Sequence, residues 1–399
     1  MYPKCNISLV GIPFDPRGMG EHLRCSFRAL RALGVTVGVR KIIHGIECDD
    51  LDLRNEIGGN LIQRLSPGIN MFNINGDMVE NTLRQLSSDL PRGAYNVIYP
   101  MWELSQYPKP WADQLNKFDE VWAPSKFTYQ SLKSAISKPV IHMPLPGEIN
   151  LNSFLGRRYF GIPESSFTFL FFFDFTSYLA RKNPFAVLRA FEELCKYRPK
   201  ADLCLLIKAM GGERRKEDHI AFCEHITRFK SGALGNARVL IIDKVLTDNE
   251  MKNLLRSCDC FISLHRSEGF GLGMITAMYM AKPVVATGYS GNLDFMTDKN
   301  SCLVRYDLCD VPNGAYPFSE GQVWAEPDVT HAVDHMLNLV SDRNYARELG
   351  EKTSRDIRVN FSYRAIGLRY LSRINEIVSE RGGRQPSGSR VPDLFEGWH

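Results

Sequence analysis

The stretch Phe261–Met296, FISLHRSEGFGLGMITAMYMAKPVVATGYSGNLDFM, predicts the fold of the chain around it. The apolar run Cys260–Leu264 is typical of a buried strand. Met274–Met280 predicts a short helix, which Pro283 stops because proline cannot continue a helix. Val284–Thr287 predicts the next buried strand. Strand, glycine-rich turn, helix and strand in this order form a βαβ unit.

The glycine-rich turn Glu268–Gly273 predicts a ligand site. In such a unit the N-terminus of the helix faces the turn, and its free N–H groups and positive dipole end favour phosphate. Glu268 lies at the edge of the turn. Because a carboxylate repels phosphate, the expected partner of Glu268 is a neutral hydroxyl donor, such as a sugar. Phosphate beside sugar predicts a nucleotide-sugar ligand.

The same stretch resembles the signature of the retaining glycosyltransferases of family four, whose GT-B fold has two facing Rossmann-like domains. The residues that match this signature in fixed register are Glu268, Gly269, Phe270, Gly271, Leu272, Ala277, Met278, Pro283, Val284, Ala286, Gly291, Asp294 and Phe295. The signature has a second glutamate, eight residues after the first, that holds the ribose hydroxyls. This chain has Thr276 at that position, so the resemblance implies a weakened ribose contact.

Composition and charge limit the classes of protein that we consider. The chain has 399 residues, enough for two or three domains, with 44% hydrophobic and 24% charged residues. A net charge of +4 is small for this length and does not indicate a nucleic-acid partner. We expect neither a signal peptide nor a membrane span. The expected location is therefore the cytoplasm, with peripheral contact at the inner face of the membrane left open.

Neither the cysteines nor the acidic residues predict a metal site. Ten cysteines are scattered, and Cys258 and Cys260 suit core packing better than zinc. Unpatterned cysteines favour a reducing compartment. Asp50 and Asp52 match the Asp-x-Asp metal motif of the other large glycosyltransferase fold, but we interpret their polar segment as a solvated acidic loop. We expect no metal and no cofactor other than the nucleotide-sugar substrate.

Strands that alternate with helices predict an α/β protein with two doubly wound, Rossmann-like domains. We place an N-terminal acceptor-binding domain at residues 1–150, a linker at 151–166 and a C-terminal nucleotide-sugar domain at 167–360. By the resemblance, a helix over 361–380 crosses back to the N-terminal domain. The tail 381–399 is rich in Gly, Pro and Ser, and we expect it to be disordered.

Arg181 and Lys182, just before Asn183-Pro184, predict contacts with phosphate. Basic residues at the start of a helix oppose its dipole, so an anionic ligand would explain them; a solvated basic loop is the alternative. The resemblance places an Arg–Lys pair here. Relatives also carry an arginine near Thr176, which this chain lacks. Lys208, at the C-terminal end of the next predicted strand, is the expected replacement.

The N-terminal half contributes two candidate groups. Gly18 and Gly20 follow the first predicted strand and allow close approach of the backbone to a ligand. The resemblance places this loop beside the donor diphosphate. Trp102 and Glu103 follow another predicted strand and suit an acceptor sugar, with the indole stacked on its apolar face. A buried tryptophan beside a surface acid is the alternative.

Three further residues complete the predicted donor site. His265 ends a strand at the expected cleft, although a structural histidine is an equal alternative. Relatives approach the transferred sugar near Asn292. Val245 lies in a segment where we expect backbone groups to contact the base.

We therefore expect a retaining hexosyltransferase that moves a sugar from a nucleotide diphosphate to a hydroxyl of a carbohydrate or glycolipid acceptor. The predicted catalytic residues are Glu268, Lys182 and Arg181. Surface polysaccharide or glycoconjugate biosynthesis is the setting that the resemblance implies. Two alternatives stay open: a GT-B carbohydrate- or nucleotide-binding protein weakened by Thr276, and an epimerase or phosphorylase of the same fold.

Overall fold

The computed structural model describes residues 6–231 and 235–382 of the chain. Two parallel six-stranded sheets form the centres of two α/β domains. The strands of the first sheet are β1 (Ile7–Gly11), β2 (Val37–Lys41), β3 (Ile69–Phe72), β4 (Tyr95–Ile98), β5 (Glu120–Ala123) and β6 (Val140–His142). Their order is β2-β1-β3-β4-β5-β6, so the strand order reverses between β1 and β3. Ligands bind at such a reversal, beyond the carboxyl ends of the strands.

Short helices connect these strands. They are α1 (Gly18–Arg31), α2 (Leu51–Ile57), α3 (Val79–Gln85), α4 (Lys109–Leu115) and α5 (Lys126–Ala135). Helix α1 buries Leu23, Phe27 and Leu30, which recur at helical spacing and form one apolar face against the sheet. Gly18 and Gly20 belong to the first turn of α1.

The second sheet has the same architecture. Its strands are β7 (Phe167–Phe172), β8 (Leu203–Ala209), β9 (Arg238–Asp243), β10 (Cys260–Ser263), β11 (Val284–Thr287) and β12 (Cys302–Val304), in the order β12-β11-β10-β7-β8-β9. The strand order reverses between β7 and β10. Strand β8 is buried along its whole length, and its sequence is apolar except for Lys208.

Eight helices that the structure describes accompany the second sheet. They are α6 (Leu179–Lys182), α7 (Pro184–Tyr197), α8 (Lys216–Ser231), α9 (Asp248–Ser257), α10 (Leu272–Tyr279), α11 (Val329–Ser341), α12 (Arg343–Asn360) and α13 (Tyr363–Gly382). Helix α13 returns to the N-terminal domain and packs on α1, where Gly367 faces Ala29 so closely that a Cβ would collide with its carbonyl group. Arg373 of α13 pairs with Glu120 of β5 at 2.6 Å.

An antiparallel hairpin, β13 (Tyr306–Asp310) and β14 (Val323–Pro327), is absent from the predicted elements. Its loop, residues 311–322, reaches the N-terminal domain. The amide of Gln322 accepts a hydrogen bond from the backbone of Gln106 and donates one to its carbonyl, both at 3.0 Å. This hairpin therefore links the two domains on one side of the cleft.

The prediction that Asp50 belongs to a solvated loop is wrong. Asp50 is buried and caps the N-terminus of α2, where Oδ1 accepts a hydrogen bond from the backbone of Leu53 at 3.1 Å. Its second oxygen accepts a hydrogen bond from the backbone of Asp248 in the C-terminal domain at 2.7 Å. The carboxylate thus joins the two domains.

Most of the predicted disordered tail lies outside the described residues, and Arg381 and Gly382 end α13. Within the described part of the chain, no helix has the length and apolar sequence required to cross a bilayer.

Candidate active site

A cavity of about 460 Å³ lies between the two domains. Gly18 in the N-terminal domain and Lys182, Lys208 and Glu268 in the C-terminal domain all line it. Three of these residues follow strands next to the order reversals, namely β1, β7 and β10. The topology therefore brings together residues that are up to 250 positions apart in the sequence. The volume is within the range of small-molecule sites, about 300–1,000 Å³.

The glycine-rich turn forms one wall of this cavity. Gly271 has a φ of +99°, a conformation that residues with a Cβ rarely adopt, and helix α10 starts at the next residue. The first N–H groups of a helix have no partner within the helix. The carbonyl of Gly269 accepts a hydrogen bond from Ser125 Oγ of the N-terminal domain at 2.6 Å. The turn is thus held against the opposite domain with its amides available to an anion.

Lys182, Arg181 and Glu268 form a charged cluster in the cavity. Lys182 is ion-paired with Glu268, and Nη1 of Arg181 lies 3.2 Å from the other carboxylate oxygen. Burial by itself would raise the pKa of Glu268, but the charges of Lys182 and Arg181 outweigh it and lower that pKa to about 2. Glu268 is therefore ionised at any physiological pH.

Arg181 and Lys182 lie just before the start of α7 at Pro184, as predicted. They end the short helix α6, and Asn183 separates them from α7. Tyr178 and Asn183, the residues that flank α6, have φ values of 68° and 54°. Such left-handed conformations are costly for residues other than glycine and cluster at functional sites. The basic pair is positioned by these two bends.

Lys208, at the end of β8, lies between this cavity and a second one of about 160 Å³ and lines both. It is buried. Burial lowers the pKa of Lys208 to about 8, and the nearby carboxylates of Asp174 and Asp243 offset only part of this effect. A lysine of this kind is a titratable cation within reach of both cavities.

The second cavity contains the position of the missing glutamate. Thr276 lines it together with Leu246, Thr247 and Gly18. Val245, the predicted base-contacting residue, is 40% exposed and lines neither cavity. Its neighbours Leu246 and Thr247 do line the second cavity, and a base contact by this segment stays a prediction.

His265 and Asn292 are not cavity residues. Both are fully buried, and His265 Nε2 lies 3.2 Å from Asn292 Oδ1. The Asn292 amide donates to the carbonyl of Thr287 at 3.0 Å. Burial lowers the pKa of His265. The polar atoms of both residues are thus hydrogen-bonded within the C-terminal domain, which favours the structural alternative for His265. Their assignment to the donor site stays a prediction.

Two N-terminal predictions also change. A Cβ at Gly20 would collide with the carbonyl of Asp15, so Gly20 serves close packing of α1, whereas Gly18 lines the cavity. The ring of Trp102 is 1% exposed and surrounded by aromatic side chains, with Trp111 at 5.4 Å between ring centroids. Trp102 therefore has no free face on which a sugar could stack. Glu103, in contrast, lines the cavity.

Sequence reasoning did not identify Asp77, Trp111, Tyr178 and Tyr316, which also line the main cavity. Asp77 follows β3, beside the order reversal of the first sheet. Asp77 could have been predicted from the sequence, because a polar residue that follows a strand lies at the ligand-binding edge of the sheet. Tyr316 lies in the loop of the unpredicted hairpin. Within residues 6–231 and 235–382, no group of three or more His, Cys, Asp or Glu side chains could hold a metal ion.

Solved structures share this arrangement of two domains. Sucrose-phosphate synthase from Thermosynechococcus elongatus superposes with a TM-score of 0.65 at 17% identity, covering 94% of this chain and 100% of that chain. Anabaena HepE, in complex with UDP and glucose, superposes with a TM-score of 0.65 at 13% identity, covering 96% of this chain and 100% of that chain. The chain has the GT-B fold.

The C-terminal GT-B domain also resembles known families in sequence. Residues 167–311 match the family model described as Glycosyl transferases group 1. Trehalose synthase from Pyrococcus horikoshii is 25% identical over 146 residues, which are 35% of this chain and 29% of that protein. The matched segment thus spans less than a third of this curated relative. The family match contains Lys182, Lys208 and Glu268, and it ends at Val311, at the start of the hairpin loop.

Proposed function

We propose that the protein is a glycosyltransferase that moves a hexosyl group from a nucleoside-diphosphate sugar to a hydroxyl of a carbohydrate or glycolipid acceptor, with retention at the anomeric carbon. The observation that carries this proposal is that Gly18, Lys182 and Glu268 line one cavity between the two domains. The cavity thus combines backbone amides and a lysine, which bind a diphosphate, with a carboxylate, which accepts hydrogen bonds from sugar hydroxyls.

The chemistry follows from the charges of the cluster. The bond between the anomeric carbon and the diphosphate oxygen breaks while the acceptor oxygen bonds to the same carbon, and the leaving phosphate takes the acceptor proton. Negative charge grows on the diphosphate during this step. Lys182, Arg181, Lys208 and the first amides of α10 are the groups that would stabilise it. The low pKa of Glu268 keeps it ionised, so it accepts hydrogen bonds from the donor sugar.

These positive charges perform the role that a divalent cation has in other transferases, and we propose a reaction without a metal. All nine described cysteines are free, which suits a reducing compartment. We accordingly propose a cytoplasmic enzyme of polysaccharide or glycoconjugate biosynthesis. Peripheral contact with the inner face of the membrane would bring it to a glycolipid acceptor.

One observation favours a second candidate function. Thr276 lines the second cavity at the position where the family signature has a glutamate. A neutral hydrogen bond contributes about 1 kcal/mol, against about 1.5–3 kcal/mol for one to a charged group. Weak retention of the ribose would suit a GT-B protein that binds a nucleotide or carbohydrate without transferring sugar.

The deciding experiment is calorimetric titration with UDP, GDP, ADP and dTDP, followed by incubation with the sugar derivative of the nucleotide that binds. We expect one nucleotide to bind, transfer or donor hydrolysis to follow, and NMR of the product to show the donor's anomeric configuration. Binding without either reaction would support the second candidate. An inverted product would refute retention, and loss of activity with EDTA would refute a metal-free reaction.

A further inference from the structure

One wall of the main cavity contains none of the residues that we assign to phosphate binding, and it carries a carboxylate instead of cations. It consists of Asp77 and Trp111 of the N-terminal domain and of Tyr316 and Pro317 in the hairpin loop. We infer that this wall holds the acceptor and selects an uncharged saccharide over a phosphorylated one. The inference rests on the proposed function, since it concerns the other substrate of the same cavity.

Trp111 is the aromatic residue that this wall offers to a sugar. It is half-buried, in the first turn of α4, and lines the cavity. Trp102 and Phe318 contact its ring edge to face at 5.4 and 5.2 Å. A Cβ at Gly76 would lie 2.7 Å from Trp111 Cβ, so the absence of a side chain there lets the tryptophan pack against the turn. A ring held in this way can stack on the apolar face of a sugar at little entropic cost.

Asp77 follows Gly76 and supplies a carboxylate next to that ring. Its side chain is exposed in the cavity wall. The charged side chains that act on it are His44, whose exposed ring lines the same cavity, and the carboxylate of Glu103. A carboxylate accepts hydrogen bonds from hydroxyl groups, and it repels a phosphate.

Two cations near this wall, Arg17 and Arg181, are held by other groups of the protein. Arg17 donates to both oxygens of Asp15, the shorter contact being 2.5 Å. Arg181 donates to the carbonyl of Ser267 at 2.9 Å and lies beside Glu268. Because Arg17 is held by Asp15 and Arg181 is assigned to the donor diphosphate, a phosphorylated acceptor would meet Asp77 without either guanidinium as a partner. A neutral saccharide would gain hydrogen bonds and a stacking face.

The hairpin loop completes the wall from the C-terminal domain. The hydroxyl of Tyr316 donates to the carboxylate of Glu103, and its ring packs 4.8 Å from that of Tyr178. The loop begins where the family match ends, at Val311. Glu103 is thus oriented by a segment outside the shared domain, which makes Tyr316 a positioning residue for the acceptor side.

The test compares Asp77→Asn, Asp77→Lys and Trp111→Ala with Asp113→Asn, an exposed carboxylate on α4 outside the cavity. Acceptors are neutral mono- and disaccharides and their phosphates. For the wild type we expect kcat/KM at least tenfold higher with the neutral compounds. Asp77→Asn and Trp111→Ala should raise acceptor KM about tenfold while the nucleotide Kd stays within twofold. Asp77→Lys should shift preference toward the phosphates.

Saccharide binding is also measured without donor, by saturation-transfer NMR, so the acceptor wall is tested independently of the donor site. A wild type that binds saccharide but no nucleotide would refute the proposed function and support this wall. A wild type that prefers phosphorylated acceptors would overturn the inference. So would folded Asp77 and Trp111 variants that match Asp113→Asn in acceptor KM and saccharide binding.

Discussion

Lys182 and Glu268 are ion-paired inside the interdomain cavity, although one follows β7 and the other follows β10. Arg181 lies beside the same carboxylate, at 3.2 Å. The cluster thus holds two cations and one anion close together, and preorganised charge is the main source of transition-state stabilisation in many enzymes. In the proposed function, each partner would contact a different part of the nucleotide sugar.

Replacing Lys182 by alanine is predicted to reduce turnover by about 10²–10³-fold, because one preorganised donor to the leaving diphosphate is lost. Steady-state kinetics with the preferred donor measure this effect. Lys200→Ala, an exposed lysine outside both cavities, is the control and should have normal rates. Near-normal turnover of the Lys182 variant would remove this residue from the mechanism.

Replacing Thr276 by glutamate is predicted to tighten nucleotide binding about tenfold, because a charged acceptor for the ribose hydroxyls replaces a neutral one. Calorimetry with the preferred nucleoside diphosphate gives the change in Kd. Thr276→Gln has the length of glutamate without its charge and should produce a smaller gain. Equal affinities of the glutamate variant and the wild type would show that position 276 does not contact the ribose.

Lys208 is predicted to make nucleotide affinity depend on pH. Burial lowers its pKa to about 8, so its ammonium group is half-deprotonated near that pH and loses the rest of its charge as the pH rises further. The affinity for a nucleoside diphosphate should therefore fall above pH 8, by up to about tenfold per pH unit. Calorimetry from about pH 6.5 to about pH 9.5 should show that nucleotide affinity depends much less on pH in Lys208→Met than in the wild type. A wild-type profile as flat as that of the variant would contradict the assignment.

Arg373→Ala is predicted to destabilise the protein by about 3 kcal/mol, because it leaves the fully buried carboxylate of Glu120 without its cation. Urea unfolding gives the free energy. Arg369→Ala, an exposed arginine on the same helix, should change it by less than about 0.5 kcal/mol. Adding Glu120→Gln to the Arg373 variant should recover part of the loss. A loss below about 1 kcal/mol would indicate that Glu120 is stabilised by Trp122 and Tyr95 alone, which also donate to it.

Local patterns were sufficient for the fold and for the centre of the site. Apolar runs, glycine turns and helix stops depend on neighbours in sequence, so the βαβ unit around Glu268 and the alternation of strands and helices could be predicted. The carboxyl ends of parallel strands meet at one edge of a sheet. This rule predicts that residues following such strands lie close together, and Gly18, Lys182, Lys208 and Glu268 all line the cavity.

Only the tertiary structure decided which polar and aromatic side chains face that cavity. Trp102 and Trp111 both come after β4 and both line the cavity. Packing against Tyr107 and Tyr316 leaves Trp102 only 1% exposed, whereas Trp111 is half-buried. Asp50 similarly became a buried contact through the backbone of Asp248, 198 positions away. Burial of a side chain depends on partners from distant segments, which sequence spacing does not specify.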